Sequence, residues 1–192
     1  INGMTGAISG IVERDIAALR EYAPVLGLDL EDFDKIFAGD EGSQEGGRQS
    51  AVIRDLVANK PEGGYDLATL QDYFPSIVAV RLANQDVMDE ANSDEPTIEN
   101  LRGYVVTLKD AFDNAKHQTH GLTSGGTPIE DKRTELDTLL TDFDALTEAQ
   151  KEAVFAELVE ETNEGLKFKR ASQVTKDLRI AIDKVKAIAS AI

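Results

Sequence analysis

From Ala171 to Ile192 the apolar residues Ala171, Val174, Leu178, Ala181, Val185, Ile188 and Ile192 recur at alternating intervals of three and four. A strand repeats its faces every second residue and a helix every 3.6 residues. This spacing therefore admits a helix and excludes a strand. It predicts a packing seam about three heptads long. Such a seam must be covered, so the closing segment should lie against another helix, in its own chain or in a neighbouring copy. The seam holds small Ala residues and no aromatic anchor, which favours a helix over lipid as its cover.

The remaining chain reads the same way. No convincing strand alternation is present, and helix signals are frequent. A first helix is predicted over about 5–23, stopping before Pro24 because the residue before a proline avoids the helical region. A short helix or turn should present Leu30, Phe33, Ile36 and Phe37. A helix over 49–59 should use Val52, Ile53, Leu56 and Val57 as its face. Asp66 is placed to cap a short turn, and Pro75 to open a separate, buried central helix. Leu101, Val105, Leu108, Phe112 and Ala115 form the next stripe. Thr127 with Glu130 and Thr147 with Gln150 read as capping boxes. Ile129, Leu136, Leu140 and Phe143 should face inward between them. Gly165 is placed to close the helix that starts after Thr147, with Leu166 packing behind it. The predicted fold class is all-α, an irregular helical bundle of about seven or eight helices with a long C-terminal amphipathic helix. One helical domain spans 1–192, with a possible sub-division into an irregular half, 1–92, and a long-helix half, 93–192.

Charge is unevenly spread. The 192 residues carry a formal charge of −16, from 36 acids and 20 bases. An acidic body disfavours nonspecific binding to nucleic acid or anionic membranes. Residues 166–192, however, hold seven bases and two acids, a charge of +5, which leaves −21 for the other 165 residues. This basic helix has three destinations: its own acidic body, the acidic body of a neighbouring copy, or an anionic surface. The residues expected to carry an interaction are Val174, Leu178, Val185 and Ile188 on the seam, with Lys176, Arg179, Lys184 and Lys186 beside it. The implied partner is a protein, as a homo-oligomer or larger assembly, with no direct contact to nucleic acid.

Catalytic and metal chemistry find little material. The chain has no Cys, which removes thiolate ligands, disulfides and cysteine nucleophiles. Asp110, Asp113, His117 and His120 follow one another at three, four and three, a helical stripe roughly 140° from the core stripe that should face water. Four ligands in one row cannot surround an ion tetrahedrally. Asp113, His117 and His120 are the residues a metal would use, but a solvated helix face is the expectation, and no cofactor is implied. Neither "DKIFAG" from Asp34 nor "DFDALT" from Asp142 has the acids and glycine of a calcium loop. "GLTSGGTP" has two well-spaced glycines but Thr127 where a phosphate loop needs Lys, so it reads as a flexible connector. Asp15 is the acid whose helical phase suggests burial, either paired with Arg81 or at a subunit contact.

The expected function is that of a non-enzymatic structural or interaction protein in a multi-subunit assembly. The chain opens on Ile rather than Met, which fits a proteolytically matured assembly protein and makes a viral particle one setting for it. Two alternatives stand beside this: an acidic nucleic-acid mimic or inhibitor that binds a basic partner, and a metal-binding or enzymatic helical bundle. The compartment is left open. The first residues have no basic leader, and no stretch reaches the ~18 apolar residues of a membrane span.

Overall fold

The computed structural model describes residues 16–38, 48–116 and 120–191. The fold is all-α: among the described residues there are eight helices and only two small two-stranded sheets. In chain order these are α1 (Ile16–Leu26), α2 (Glu31–Lys35), α3 (Arg48–Ala58), α4 (Leu67–Ser93) and α5 (Ile98–Asn114). Then come β1 (Thr123–Ser124), β2 (Thr127–Pro128), α6 (Ile129–Asp144), α7 (Glu148–Leu158), β3 (Val159–Thr162), β4 (Gly165–Phe168), a 3-10 turn (Ala171–Gln173) and α8 (Val174–Ser190). The chain divides into two compact units. The first contains 1–85 and 111–132, the second 86–110 and 133–192.

In the first unit the core is aliphatic and aromatic, with Leu19, Phe33, Leu56, Leu70, Phe74 and Ile77 fully enclosed. Side-chain amides satisfy the carbonyls that helix ends leave free. Gln71 Nε2 donates to Leu26 O at the end of α1 (2.9 Å). Buried Gln49 donates to Phe33 O and Ile36 O after α2 (3.3 and 2.9 Å). Gln85 donates to Lys35 O (2.8 Å) and accepts from Phe37 N–H (2.7 Å).

Helix α1 runs through Pro24 to Leu26 instead of stopping before it. Its true stop is Gly27, at φ 65°. Leu28 N–H donates to Ala23 O and Gly27 N–H to Pro24 O, the paired bonds of a Schellman end. A side chain at Gly27 would also press on Gln71 Nε2 at 2.9 Å. Pro75 likewise lies inside a single helix, α4, rather than opening a new one. A proline removes one backbone bond, but the buried stripe of Leu70, Phe74 and Ile77 continues in phase across it. Asp66 caps as expected, accepting from Thr69 N–H at 2.7 Å. The helix predicted from residue 5 lies outside the described residues up to Asp15.

In the second unit Val87, Leu101, Tyr104, Val105, Leu139, Phe143, Val154, Phe168, Leu178 and Ile182 are buried. Helix α5 keeps its predicted stripe, with Leu101, Val105 and Leu108 buried in this unit, and Phe112 on the helix and Ala115 just past its end buried in the first. On α6, Leu136, Leu139 and Phe143 are buried, whereas Leu140 is half-buried. The Thr147–Gln150 capping box forms in full at the start of α7.

Both sheets depart from the all-helical expectation. Helix α7 stops at Leu158, and β3 and β4 pair antiparallel from Val159↔Phe168 to Thr162↔Gly165. Gly165, at φ 103°, thus serves a hairpin turn rather than a helix end. The second sheet pairs Thr123↔Pro128 and Ser124↔Thr127 around Gly125 and Gly126, at φ 59° and 79°. Two successive positive φ values match the strand twist and make the tight two-residue turn of a hairpin. Thr127 and Pro128 therefore belong to a strand, and α6 begins at Ile129.

Candidate interaction surface

Helix α8 begins at Val174, because Ala171 falls in the 3-10 turn before it. Arg170 pairs with Asp177 in the first turn of the helix. An acid there also complements the helix N-terminus. Its inner face is Val174, Leu178, Ala181 and Ile182, all buried. Burial then fades along the predicted seam: Val185 is half-buried and Ile188 is 55% exposed. Ile192 lies outside the described residues. Ile180, which lies off the seam, is also 55% exposed. Sequence reasoning missed both Ile180 and Ile182, since neither falls on the strict three-four register.

The basic residues of α8 meet acids of the same unit. Arg179 Nη1 donates to Asp142 Oδ2 on α6 at 2.8 Å, and its Nη2 to Asp183 at 2.6 Å. Lys186 Nζ stands 3.3 Å from the other Asp142 oxygen. On the opposite flank Lys184 Nζ donates to both oxygens of Glu157 on α7, each at 2.9 Å. Hydrogen bonds from Arg179, then Lys186, hold the Asp142 carboxyl below its ordinary value of 3.8. Lys176 is exposed. Of the predicted interaction residues, then, Val174 and Leu178 are internal, Arg179, Lys184 and Lys186 are paired at home, and Ile188 is left outside.

Ile180, Lys184 and Ile188 are spaced four apart, so they share one side of the helix. The Lys184–Glu157 pair sits between the two isoleucines. This is an apolar, exposed strip with one ion pair at its middle, on a helix whose other face is locked into a core. It can bind another nonpolar surface.

The stripe of acids and histidines is not assembled as a row. Helix α5 ends at Asn114, so His120 lies beyond it. Asp110 is exposed and Asp113 half-buried, while His117 lies outside the described residues. The His120 ring packs on Tyr73 with centroids 4.9 Å apart, and its Nε2 is 3.9 Å from Asp72. Among the described residues no group of three or more His, Asp or Glu side chains is placed to hold a metal ion.

Asp55 is a buried acid that sequence reasoning did not single out, while Asp15 lies outside the described residues. Asp55 is 2% exposed and takes Arg81 as its partner. Arg81 Nε donates to Oδ2 (2.7 Å) and Nη2 to Oδ1 (2.9 Å). Ser124 Oγ and Gly125 N–H complete the set at 3.1 and 3.0 Å. Asn59 grips the same hairpin, donating to Thr123 O (2.8 Å) and accepting from Thr123 N–H (2.7 Å). The stretch expected to be a flexible connector is thus a hairpin bonded to α3. Every oxygen of Asp55 is used within the fold, so this cluster is built to position the turn.

An open cleft of about 470 Å³ lies in the second unit beside the β3–β4 turn, lined by Asn92, Thr162, Asn163, Glu164, Lys167 and Phe168 among others. None of its polar lining residues is buried. Among the described residues no helix is long and apolar enough to cross a membrane. No family model, curated protein or solved structure matches this chain.

Proposed function

We propose that this is a non-enzymatic interaction protein that works within a multi-subunit assembly, docking through the outer face of α8. The observation that carries this is the pair Ile180 and Ile188, each 55% exposed on a helix held down by buried Val174, Leu178, Ala181 and Ile182. Single exposed apolar residues need no explanation. Two large ones, two turns apart on one side of a helix that is packed on its inner face, make a defined contact surface. Three of the four bases expected to reach a partner, Arg179, Lys184 and Lys186, are engaged with Asp142 and Glu157, so the contact is chiefly apolar.

The test is a photo-crosslinking residue placed at Ile188 in the full chain, expressed in its native source, with the same residue at exposed Asp137 as a control. A discrete protein adduct specific to position 188 is the expected result. Equal labelling at both positions, or none at either, overturns the reading.

A further inference from the structure

The proposed docking face has an internal symmetry, and the pairing inferred from it rests on that reading of α8. Lys184 stands at the centre of the strip, with Ile180 four residues before it and Ile188 four residues after. Turn this helix end for end about Lys184, and Ile180 falls where Ile188 was. A copy related by a two-fold axis through that point therefore sets Ile180 against the partner's Ile188 twice over. The polar centre is equally self-complementary. Each copy brings one Lys184 and one Glu157, already bonded to each other at 2.9 Å. Two such pairs facing across the axis place each ammonium near the neighbour's carboxylate. Two lysines alone at that point would repel; the accompanying glutamates remove the conflict.

We infer that the occupant of this face is a second copy of the same chain, packed with α8 antiparallel to α8 about a two-fold axis at Lys184. Closed two-fold pairs need one surface that matches itself, and this strip does so in both its apolar spacing and its charges. Most charge on α8 is neutralised within its own unit, while the whole chain keeps a net charge of −16. The two copies therefore repel at long range and attract only on contact. Salt screens the first effect and spares the second. Association through this face should strengthen as salt rises. Docking of the basic helix on a neighbour's acidic body would weaken instead. A contact of one helix pair is small, so the affinity belongs at the weak end, on the order of 100 µM.

Two measurements on the purified full chain test this. In sedimentation equilibrium the dimer constant should rise severalfold between low and high salt. The double substitution Ile180→Asp, Ile188→Asp should lower it at least tenfold. The chain has no native Cys, so engineered thiols report geometry without background. Lys184→Cys alone should oxidise to a disulfide-linked dimer. Ile180→Cys and Ile188→Cys should cross-link when mixed and not when separate. A chain that stays monomeric at millimolar concentration and high salt, or that cross-links through Ile180→Cys alone, overturns the two-fold pairing. The docking role itself survives that outcome if the position-188 adduct from the native source is a different protein, and falls if there is no adduct at all.

Discussion

Replacing Asp55 by Ala should destabilise the protein by about 3 kcal/mol, because it strands a charge and frees a turn. Asp55 is 2% exposed and takes four hydrogen bonds: two from Arg81, one each from Ser124 and Gly125. Removing one partner of a buried pair costs about 3–5 kcal/mol, chiefly through the charge left behind. The Arg81 side chain is 24% exposed and can recover some water, which sets the low end of that range. The reverse change, Arg81→Met, leaves the more deeply buried charge alone and should cost at least as much. The double variant carries no orphaned charge, so its loss should fall clearly short of the sum of the two single losses. With a urea slope of about 2 kcal/mol per molar, the Asp55→Ala midpoint moves down by roughly 1.5 M. Far-UV circular dichroism in urea gives the midpoints. Amide exchange at Gly125 gives a local readout, since its N–H donates to Asp55 and should lose protection in both Asp55 variants. Additive losses, with a coupling below about 0.5 kcal/mol, would show that Asp55 and Arg81 do not act as a unit and would refute the reasoning.

Two further outcomes concern titrating groups in the second unit. Asp142 and Asp144 have folded pKa values below 3.8, through hydrogen bonds from Arg179 and Arg102 respectively. Their contribution is fully present above the unfolded value and disappears as pH falls through the depressed folded values. Asp142→Asn should therefore lower stability at pH 6 and flatten its decline below about pH 4, as read from urea midpoints across pH; an unchanged acid slope would count against the pairing. Burial, followed by the charges of Asp94 and Glu90, pushes the Tyr104 phenol to about 12. In an ultraviolet titration of the four tyrosines, Tyr104→Phe should remove the last component to ionise. Loss of an early component instead would place Tyr104 in water.

What the sequence made legible was what its neighbours decide. The Thr147–Gln150 box is complete within four residues, and the α5 stripe is a repeat that needs no distant partner. The two prolines misled because one lost backbone bond is a small cost beside a continuous buried face, and that face is set by tertiary packing. Asp55 was illegible for the same reason: its partners lie 26, 69 and 70 residues away. The Gly125–Gly126 pair did carry a local signal, since two glycines between short runs are a hairpin mark. It was obscured by strands only two residues long. The C-terminal seam failed in an instructive way. A strict three-four repeat assumes a supercoil, but a straight helix drifts by about 20° each heptad. Position 188 has therefore turned by about 40° from position 174, toward the edge of the buried face, and buried Ile182 lies off the heptad register.

The charge polarity of the chain has a different meaning once its bases are located. Read along the sequence, +5 against −21 suggests a cationic arm reaching for an acidic partner. In the fold, Arg179 and Lys186 close on Asp142 from one flank of α8, and Lys184 closes on Glu157 from the other. Exposed ion pairs of this kind contribute little each, about 0–1 kcal/mol, so they do not explain why the helix stays down; the buried Val174, Leu178, Ala181 and Ile182 do that. What opposed pairs on two flanks supply is rotation. A turn of one residue, about 100°, would carry Lys184 away from Glu157 and Arg179 away from Asp142 together. The ion pairs thus agree with the buried face on one rotation, the one that leaves Ile180 and Ile188 each 55% exposed. A roll that buried Ile180 would lift Leu178 and Ile182 out of the core and break the pairs on both flanks.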